Sequence, residues 1–140
     1  MAGPSSGTER LEFPSTCDVL ERIDELTLKH ATEAGFDETA AMEIAIAAIE
    51  AATNAIVHGN ERREETLFSV EYAWEPGSIE ITVHDSGRGF DLACVADPTD
   101  ADHCMGTSGR GIFIMREVMD SVEFDMSGGS GTTVTIKRSV

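Results

Sequence analysis

Residues 50–59 read EAATNAIVHG, and they close a segment that is rich in alanine and apolar on several sides. Helical spacing of its apolar side chains predicts one helix over 38–58, capped by Asp37 and stopped at Gly59. A helix that is apolar almost all round is usually buried. The stretch therefore indicates a helix at the centre of a hydrophobic core.

Polar residues interrupt one face of this predicted helix, because Glu50, Asn54 and His58 follow one another at four-residue intervals. Burial of an unpartnered carboxylate is costly, so a buried Glu50 would need a cation, a water or a ligand. Alternatively, Glu50 reaches solvent on a polar face shared with Glu43, and the spacing leaves both interpretations open. His58 in the last turn suits the helix dipole, which favours a structural role.

Two glycine-rich segments lie downstream. HDSGRGFD at 84–91 ends a predicted strand, and its glycines would let the backbone approach a ligand closely, although DSG is also an ordinary turn sequence. GTSGRG at 106–111 leads into a helix predicted over 111–119. Free N–H groups and the dipole at such a helix start can bind a phosphate, and a flexible linker is the alternative.

The remaining sequence predicts a sheet and a further helix. Side-chain patterns predict strands over 9–14, 66–74, 79–84, 121–126 and 132–138, and a helix over 16–33. Ser15 or Thr16 offers a cap for the first helix. Short turns imply antiparallel pairing, and helices against such a sheet make a two-layer α+β domain. We expect 1–7 to be a disordered leader and 8–140 to be one domain.

The charge excludes several partners. The chain has 140 residues, with 26 acidic and 10 basic side chains and a formal net charge of −16. Ten basic residues cannot build a large basic face, which argues against nucleic acid and anionic membranes as partners. Neither lysine, Lys29 nor Lys137, follows a glycine loop, which excludes a Walker-type phosphate loop.

Cysteine usage and hydropathy predict a cytoplasmic protein. Cys17, Cys94 and Cys104 cannot all pair within one chain, which favours reduced thiols. The first ten residues lack the apolar core of a signal peptide. No apolar run approaches the roughly 20 residues that span a bilayer. A metal site built from two of these cysteines, Cys94 and Cys104, with His103 would lack the usual ligand spacing.

The order of the motifs carries a family resemblance that extends from Leu11 to Arg138. The chain resembles the GHKL ATPases, the superfamily of histidine-kinase catalytic domains, and looks most like the bacterial anti-sigma-factor serine/threonine kinases. Its matching segments are EAATNAIVHG (50–59), HDSGRGFD (84–91), GTSGRGIFIMREVMDSVEF (106–124) and GTTVTI (131–136). The resemblance implies a Bergerat-type ATP-binding fold, with a mostly antiparallel sheet and three helices on one face.

The resemblance also implies ATP and Mg²⁺ as cofactors and assigns roles to the polar residues. Glu50 would be the general base that activates the attacking hydroxyl, and Asn54 would coordinate Mg²⁺. Asp85 would accept a hydrogen bond from the adenine amine. Thr132 would support the adenine through a water.

The glycine motifs would form the rest of the nucleotide site. Gly87 and Gly89 would shape the floor of the adenine pocket, and 91–108 would be the ATP lid. The contacts expected from the second glycine box are Gly106, Ser108, Gly109, Arg110 and Gly111. Several kinases of this type place an arginine just before that box, where this chain has Thr107. This departure bears on the efficiency of phosphoryl transfer.

The resemblance implies an anti-sigma factor that holds a sigma factor inactive and phosphorylates a STAS-type antagonist. Homodimerisation is common among such kinases, and part of the acidic surface is expected to face a basic surface of the sigma factor. The alternative is a nucleotide-dependent binding regulator without turnover, which Thr107 favours. The catalytic domain of a histidine kinase would need a phosphoacceptor helix hairpin, which nothing before Leu11 supplies.

Overall fold

A computed structural model describes residues 3–59, 66–85, 108–125 and 131–140, which form five strands and three α-helices. The strands are β1 (Gly7–Pro14), β2 (Leu67–Glu75), β3 (Ser78–His84), β4 (Ser121–Asp125) and β5 (Thr133–Ser139). The helices are α1 (Leu20–Glu33), α2 (Glu38–Asn54) and α3 (Ser108–Val118). The strands form one sheet in the order β1-β2-β3-β5-β4, and every neighbouring pair is antiparallel. This confirms the predicted α+β fold with an antiparallel sheet.

The β2–β3 hairpin is the centre of the sheet, as the alternating sequence predicts. Glu75 pairs with Ser78 across a two-residue turn, in which Gly77 takes a φ of 93° that glycine adopts without strain. One face of both strands is buried, and its side chains are Phe68, Val70, Tyr72, Ile79, Ile81 and Val83. The helices cover this face and leave the other face of the sheet to polar side chains.

The start of α1 differs from the prediction. A 3₁₀ turn, Cys17–Val19, precedes α1, and Thr16 makes no capping hydrogen bond through its side chain. Ser15 instead donates its hydroxyl to the backbone oxygen of Thr66, which ties the end of β1 to the start of β2. The predicted cap is therefore wrong, because a contact distant in sequence uses the serine hydroxyl. Gly35, with a φ of 99°, ends the helix as expected.

Helix α2 begins as predicted, because the Asp37 carboxylate accepts a hydrogen bond of 2.8 Å from the backbone N–H of Ala40. After Asn54 the chain continues through a π-helical turn, Ala55–Gly59. The segment Glu38–Val57 has the length and mean hydropathy, 1.5, of a membrane-spanning helix, although the sequence predicts no apolar run of this length. However, 61% of its apolar window is buried inside the protein, and a buried core helix gives the same signal.

Alanines let α1 and α3 pack closely on either side of α2. The alanines of α2 that are almost fully buried are Ala41, Ala45, Ala47, Ala48, Ala51 and Ala52. Helix α3 runs antiparallel to α2, since Gly111 lies beside Glu50 while the guanidinium of Arg138 binds both Glu43 and the backbone oxygen of Val118. This packing brings the start of α3 to the last turns of α2.

Candidate functional site

Glu50 and Asn54 share one face of α2, and Gly111 of α3 lies against both. A Cβ atom added to Gly111 would lie 2.7 Å from Oε2 of Glu50 and 3.9 Å from Oδ1 of Asn54. Any side chain at this position would therefore meet the Glu50 carboxylate. The structure thus brings the helix motif and the second glycine motif into direct contact.

The Glu50 carboxyl is half-buried at this helix contact. Burial raises its pKa above the ordinary value, because desolvation disfavours the charged form. The sequence left open whether Glu50 is buried with a partner or reaches solvent. The structure shows an intermediate case, since Glu50 is neither enclosed in the core nor fully exposed. A carboxylate with a raised pKa that still reaches solvent can exchange a proton with a bound reactant.

Asn54 is buried, with 4% of its surface exposed. Its side-chain nitrogen Nδ2 finds no hydrogen-bond partner among the described residues. A buried amide group without a partner is rare in proteins, because it loses its hydrogen bonds to water on folding. Asn54 therefore has a donor that no described residue uses at the point where α2 and α3 meet.

A second polar pair lies where β3 ends and β5 begins. The backbone N–H of Asp85 donates to the backbone oxygen of Thr132 at 3.0 Å, and the N–H of Thr132 donates to Oδ1 of Asp85 at 3.3 Å. Both residues are buried, and Oγ1 of Thr132 has no hydrogen-bond partner in the described part of the chain. Backbone hydrogen bonds thus join the two residues, and no described residue bonds to the Thr132 hydroxyl, which a ligand or a water could use.

The second glycine motif lies inside a helix. Helix α3 begins at Ser108, not at 111 as the sequence suggested, so Gly109, Arg110 and Gly111 belong to its first turn. The reason is that the first N–H groups of a helix lack partners within the helix, so glycines cost less there than further along. An anion bound at a helix start accepts hydrogen bonds from these N–H groups.

Several predicted features fall outside the described residues. These are Gly87, Gly89, Gly106, Thr107, most of the lid at 91–108, and the proposed cysteine and histidine ligands Cys94, His103 and Cys104. The side chains of His58, Ser108, Gly109 and Arg110 are likewise not described. Within the described ranges, no group of three or more His, Cys, Asp or Glu side chains could hold a metal ion.

Arg138 is a residue that sequence reasoning missed. Its guanidinium lies 3.2 Å from Oε1 of Glu43 and 3.0 Å from the backbone oxygen of Val118, and so it joins β5 to both helices. The available signal was its position, since Arg138 alternates with Val134 and Ile136, whose side chains face the core. An arginine on the core side of a strand needs acceptors there.

The chain is similar to a known family and to curated proteins. The model of the histidine kinase-like ATPase domain family matches residues 13–138. The anti-sigma F factor of Clostridium beijerinckii is 34% identical over 98 residues, which cover 69% of this chain and 68% of that protein. The serine-protein kinase RsbW of Listeria monocytogenes is 30% identical over 111 residues, which cover 75% of this chain and 71% of that protein.

A solved structure supports the fold. The structure of the RsbU and RsbW domains of a Mycobacterium tuberculosis protein superposes with a TM-score of 0.63 over 95% of this chain. The chain spans 32% of that longer protein, and the two are 16% identical. At this identity the likeness bears on the fold alone, and it confirms the predicted architecture.

Proposed function

The chain belongs to the histidine kinase-like ATPase domain family, and from this premise we propose that it is an anti-sigma factor with serine/threonine kinase activity. It binds a sigma factor and holds it inactive. It also phosphorylates a STAS-type protein that antagonises this inhibition. The names of its relatives, anti-sigma F factor and serine-protein kinase, support this assignment. The contact of Gly111 with Glu50 and Asn54 is the structural observation that carries it.

ATP with Mg²⁺ fits two buried polar atoms that have no hydrogen-bond partner among the described residues, Nδ2 of Asn54 and Oγ1 of Thr132. Asn54 offers Oδ1 to a metal ion and the unpartnered Nδ2 to a phosphate oxygen, and the first turn of α3 offers backbone N–H groups. Asp85 and the unpartnered Thr132 hydroxyl suit a purine with an exocyclic amine. When bound, the nucleotide supplies the phosphoryl group, and the metal ion neutralises its charge.

Glu50 would act on the acceptor hydroxyl. The acceptor oxygen bonds to the terminal phosphorus of ATP while the bond to the β-phosphate oxygen breaks, ADP leaves, and the hydroxyl proton passes to Glu50. A general base works best when its pKa lies near the working pH, and burial moves the pKa of Glu50 in that direction. Because Gly111 has no side chain, the Glu50 carboxylate can occupy the space beside it.

The partners and the setting follow from the same proposal. The sigma factor and the antagonist are protein partners in the cytoplasm, and a second copy of the chain completes a homodimer. The net charge of −16 suits a basic protein surface and disfavours nucleic acid.

The direct test is phosphoryl transfer in a purified system. The protein is mixed with labelled ATP, Mg²⁺ and a STAS-domain protein from the same organism, and labelled phosphate on that protein is measured. Glu50→Gln should keep nucleotide affinity and lose transfer by about 100-fold or more, because the proton acceptor is removed. Glu117→Gln is the matched control, since it removes an exposed carboxylate at the end of α3 that lies away from Gly111. Absence of transfer by the wild type, with normal ATP binding, would refute the kinase assignment.

A second candidate is a nucleotide-dependent regulator that binds partners without turnover. Thr107, in the position where related kinases carry an arginine, favours this reading. A single-turnover measurement with excess protein separates the two, because a regulator would bind ATP and leave it intact.

A further inference from the structure

Helix α2 carries large apolar side chains on its solvent-facing side. Met42 is 52% exposed and Ile46 is 49% exposed, while the opposite sides of the helix are buried against α1 and α3. The described chain has few large apolar side chains with such exposure, and these two lie one turn apart. An exposed apolar patch of this kind commonly marks an interaction site.

Acidic residues lie at both ends of this patch. Glu38, Met42, Ile46 and Glu50 follow one another at four-residue intervals, so they form one row along the helix surface. We call these four residues the α2 row. With a rise of about 1.5 Å per residue, the row extends roughly 18 Å from the first acid to the second. Its second acid is the carboxylate that contacts Gly111 in the candidate site.

The charges of the row disfavour two of its possible occupants. If a second copy of the chain bound through the same row, glutamates would face glutamates in either orientation, because both ends of the row carry a glutamate. An anionic membrane surface would meet the same repulsion from a chain of net charge −16. A protein segment with a basic group, apolar side chains and a polar end matches the row in order.

We propose that the α2 row is the docking surface for the phosphoacceptor protein. The acceptor places a basic side chain at Glu38 and apolar side chains on Met42 and Ile46, and its hydroxyl then reaches Glu50. This inference rests on the proposed kinase function, and it adds the surface that selects the substrate. The axial rise of roughly 18 Å from Glu38 to Glu50 sets the length of helix that the acceptor must contact.

Substitutions along the row test the proposal with the STAS-domain protein of the transfer assay as the probe. Ile46→Gln and Met42→Gln retain helix propensity and remove the apolar contact. Each should raise the KM for the probe by about tenfold, while kcat and the affinity for ATP stay unchanged. Glu38→Gln should raise this KM as well and weaken its dependence on salt concentration.

Leu67→Gln is the matched control. Leu67 is also 49% exposed, and it lies on β2 beside Phe68, whose side chain faces the helices, so Leu67 points away from α2. Equal KM values for Ile46→Gln and Leu67→Gln would overturn the proposal. Loss of sigma-factor binding in Ile46→Gln with unchanged KM would also overturn it, as would conversion of a dimer to a monomer.

Direct binding separates failure of the docking surface from failure of the kinase assignment. If the wild type binds the STAS-domain probe without transfer and Ile46→Gln weakens that binding tenfold, the docking surface stands and the kinase assignment is wrong. If the wild type transfers phosphate and Ile46→Gln does so with the same KM, the kinase assignment stands and the docking surface is wrong.

Discussion

Gly111→Ala perturbs the candidate site by a single methyl group. The new Cβ would lie 2.7 Å from Oε2 of Glu50, whereas an ordinary non-bonded contact is about 3.5 Å, so the carboxylate must retreat by roughly 0.8 Å. The contact with Asn54, at 3.9 Å from the new atom to Oδ1, needs no movement. The substitution therefore displaces Glu50 and leaves Asn54 in place.

Stability and activity should respond differently to this displacement. Replacing glycine by alanine inside a helix gains up to about 1 kcal/mol, and moving a side chain off its rotamer costs about 0.5–1.5 kcal/mol. The free energy of unfolding should thus stay within about 1 kcal/mol of the wild type. A misplacement near 1 Å can lower a reaction rate by about 100-fold, so we expect phosphoryl transfer to fall on the order of 10–100-fold. Alanine keeps the backbone N–H, and nucleotide affinity should change little.

The assay pairs thermal or denaturant unfolding with single-turnover transfer to the STAS-domain protein. Gly111→Ala in a Glu50→Asp background isolates the predicted clash, because aspartate is one methylene shorter and leaves room for the new methyl group. The stability change caused by Gly111→Ala should be more favourable in that background than in the wild type. Full transfer activity in Gly111→Ala, or the same stability change in both backgrounds, would refute the reasoning.

Two further predictions concern stability without ligands. Burial raises the pKa of Glu50, so the folded state is more stable when this carboxyl is protonated. The stability gained from protonation is complete below the ordinary pKa of the carboxyl, and it is lost as the pH rises through the raised pKa. Glu50→Gln should therefore have a higher Tm than the wild type at about pH 8 and a smaller advantage at about pH 4, and an equal difference at both would contradict the prediction. Asp37→Ala removes the cap of α2 and should cost about 0.5–2 kcal/mol in denaturant unfolding. Asp37→Asn should retain most of this stability, and an equal loss in both variants would show that the charge, not the capping acceptor, matters.

Much of the fold could be predicted from local signals. The β2–β3 hairpin follows from alternating side chains and Gly77, and the start of α2 follows from Asp37, because both features depend on neighbours in sequence. The cap of α1 could not be predicted, since Ser15 bonds to Thr66 across the sheet. The start of α3 at Ser108 was not predicted, because glycines in a sequence usually indicate a loop. The first turn of a helix, however, tolerates glycine better than later turns do.

The site was predicted in part. Spacing placed Glu50 and Asn54 on one face of α2, and the family resemblance added Asp85, Thr132 and Gly111, whose roles remain predictions. The contact between Gly111 and Glu50 could not be read from the sequence, because it depends on how α3 packs antiparallel to the alanines of α2. The role of Arg138 depends in the same way on the positions of two helix ends.

The hydrogen bonds between Asp85 and Thr132 join residues that are 47 positions apart in the chain. During translation the ribosome adds roughly 5–20 residues per second, so Asp85 is made about 2–10 s before its partner. Throughout this interval β3 lacks β5, one of the two strands against which it pairs, and the site proposed for adenine is incomplete. Under the proposed function, ATP would bind fully only to chains in which β5 has paired with β3, so ATP binding would report that this pairing is complete.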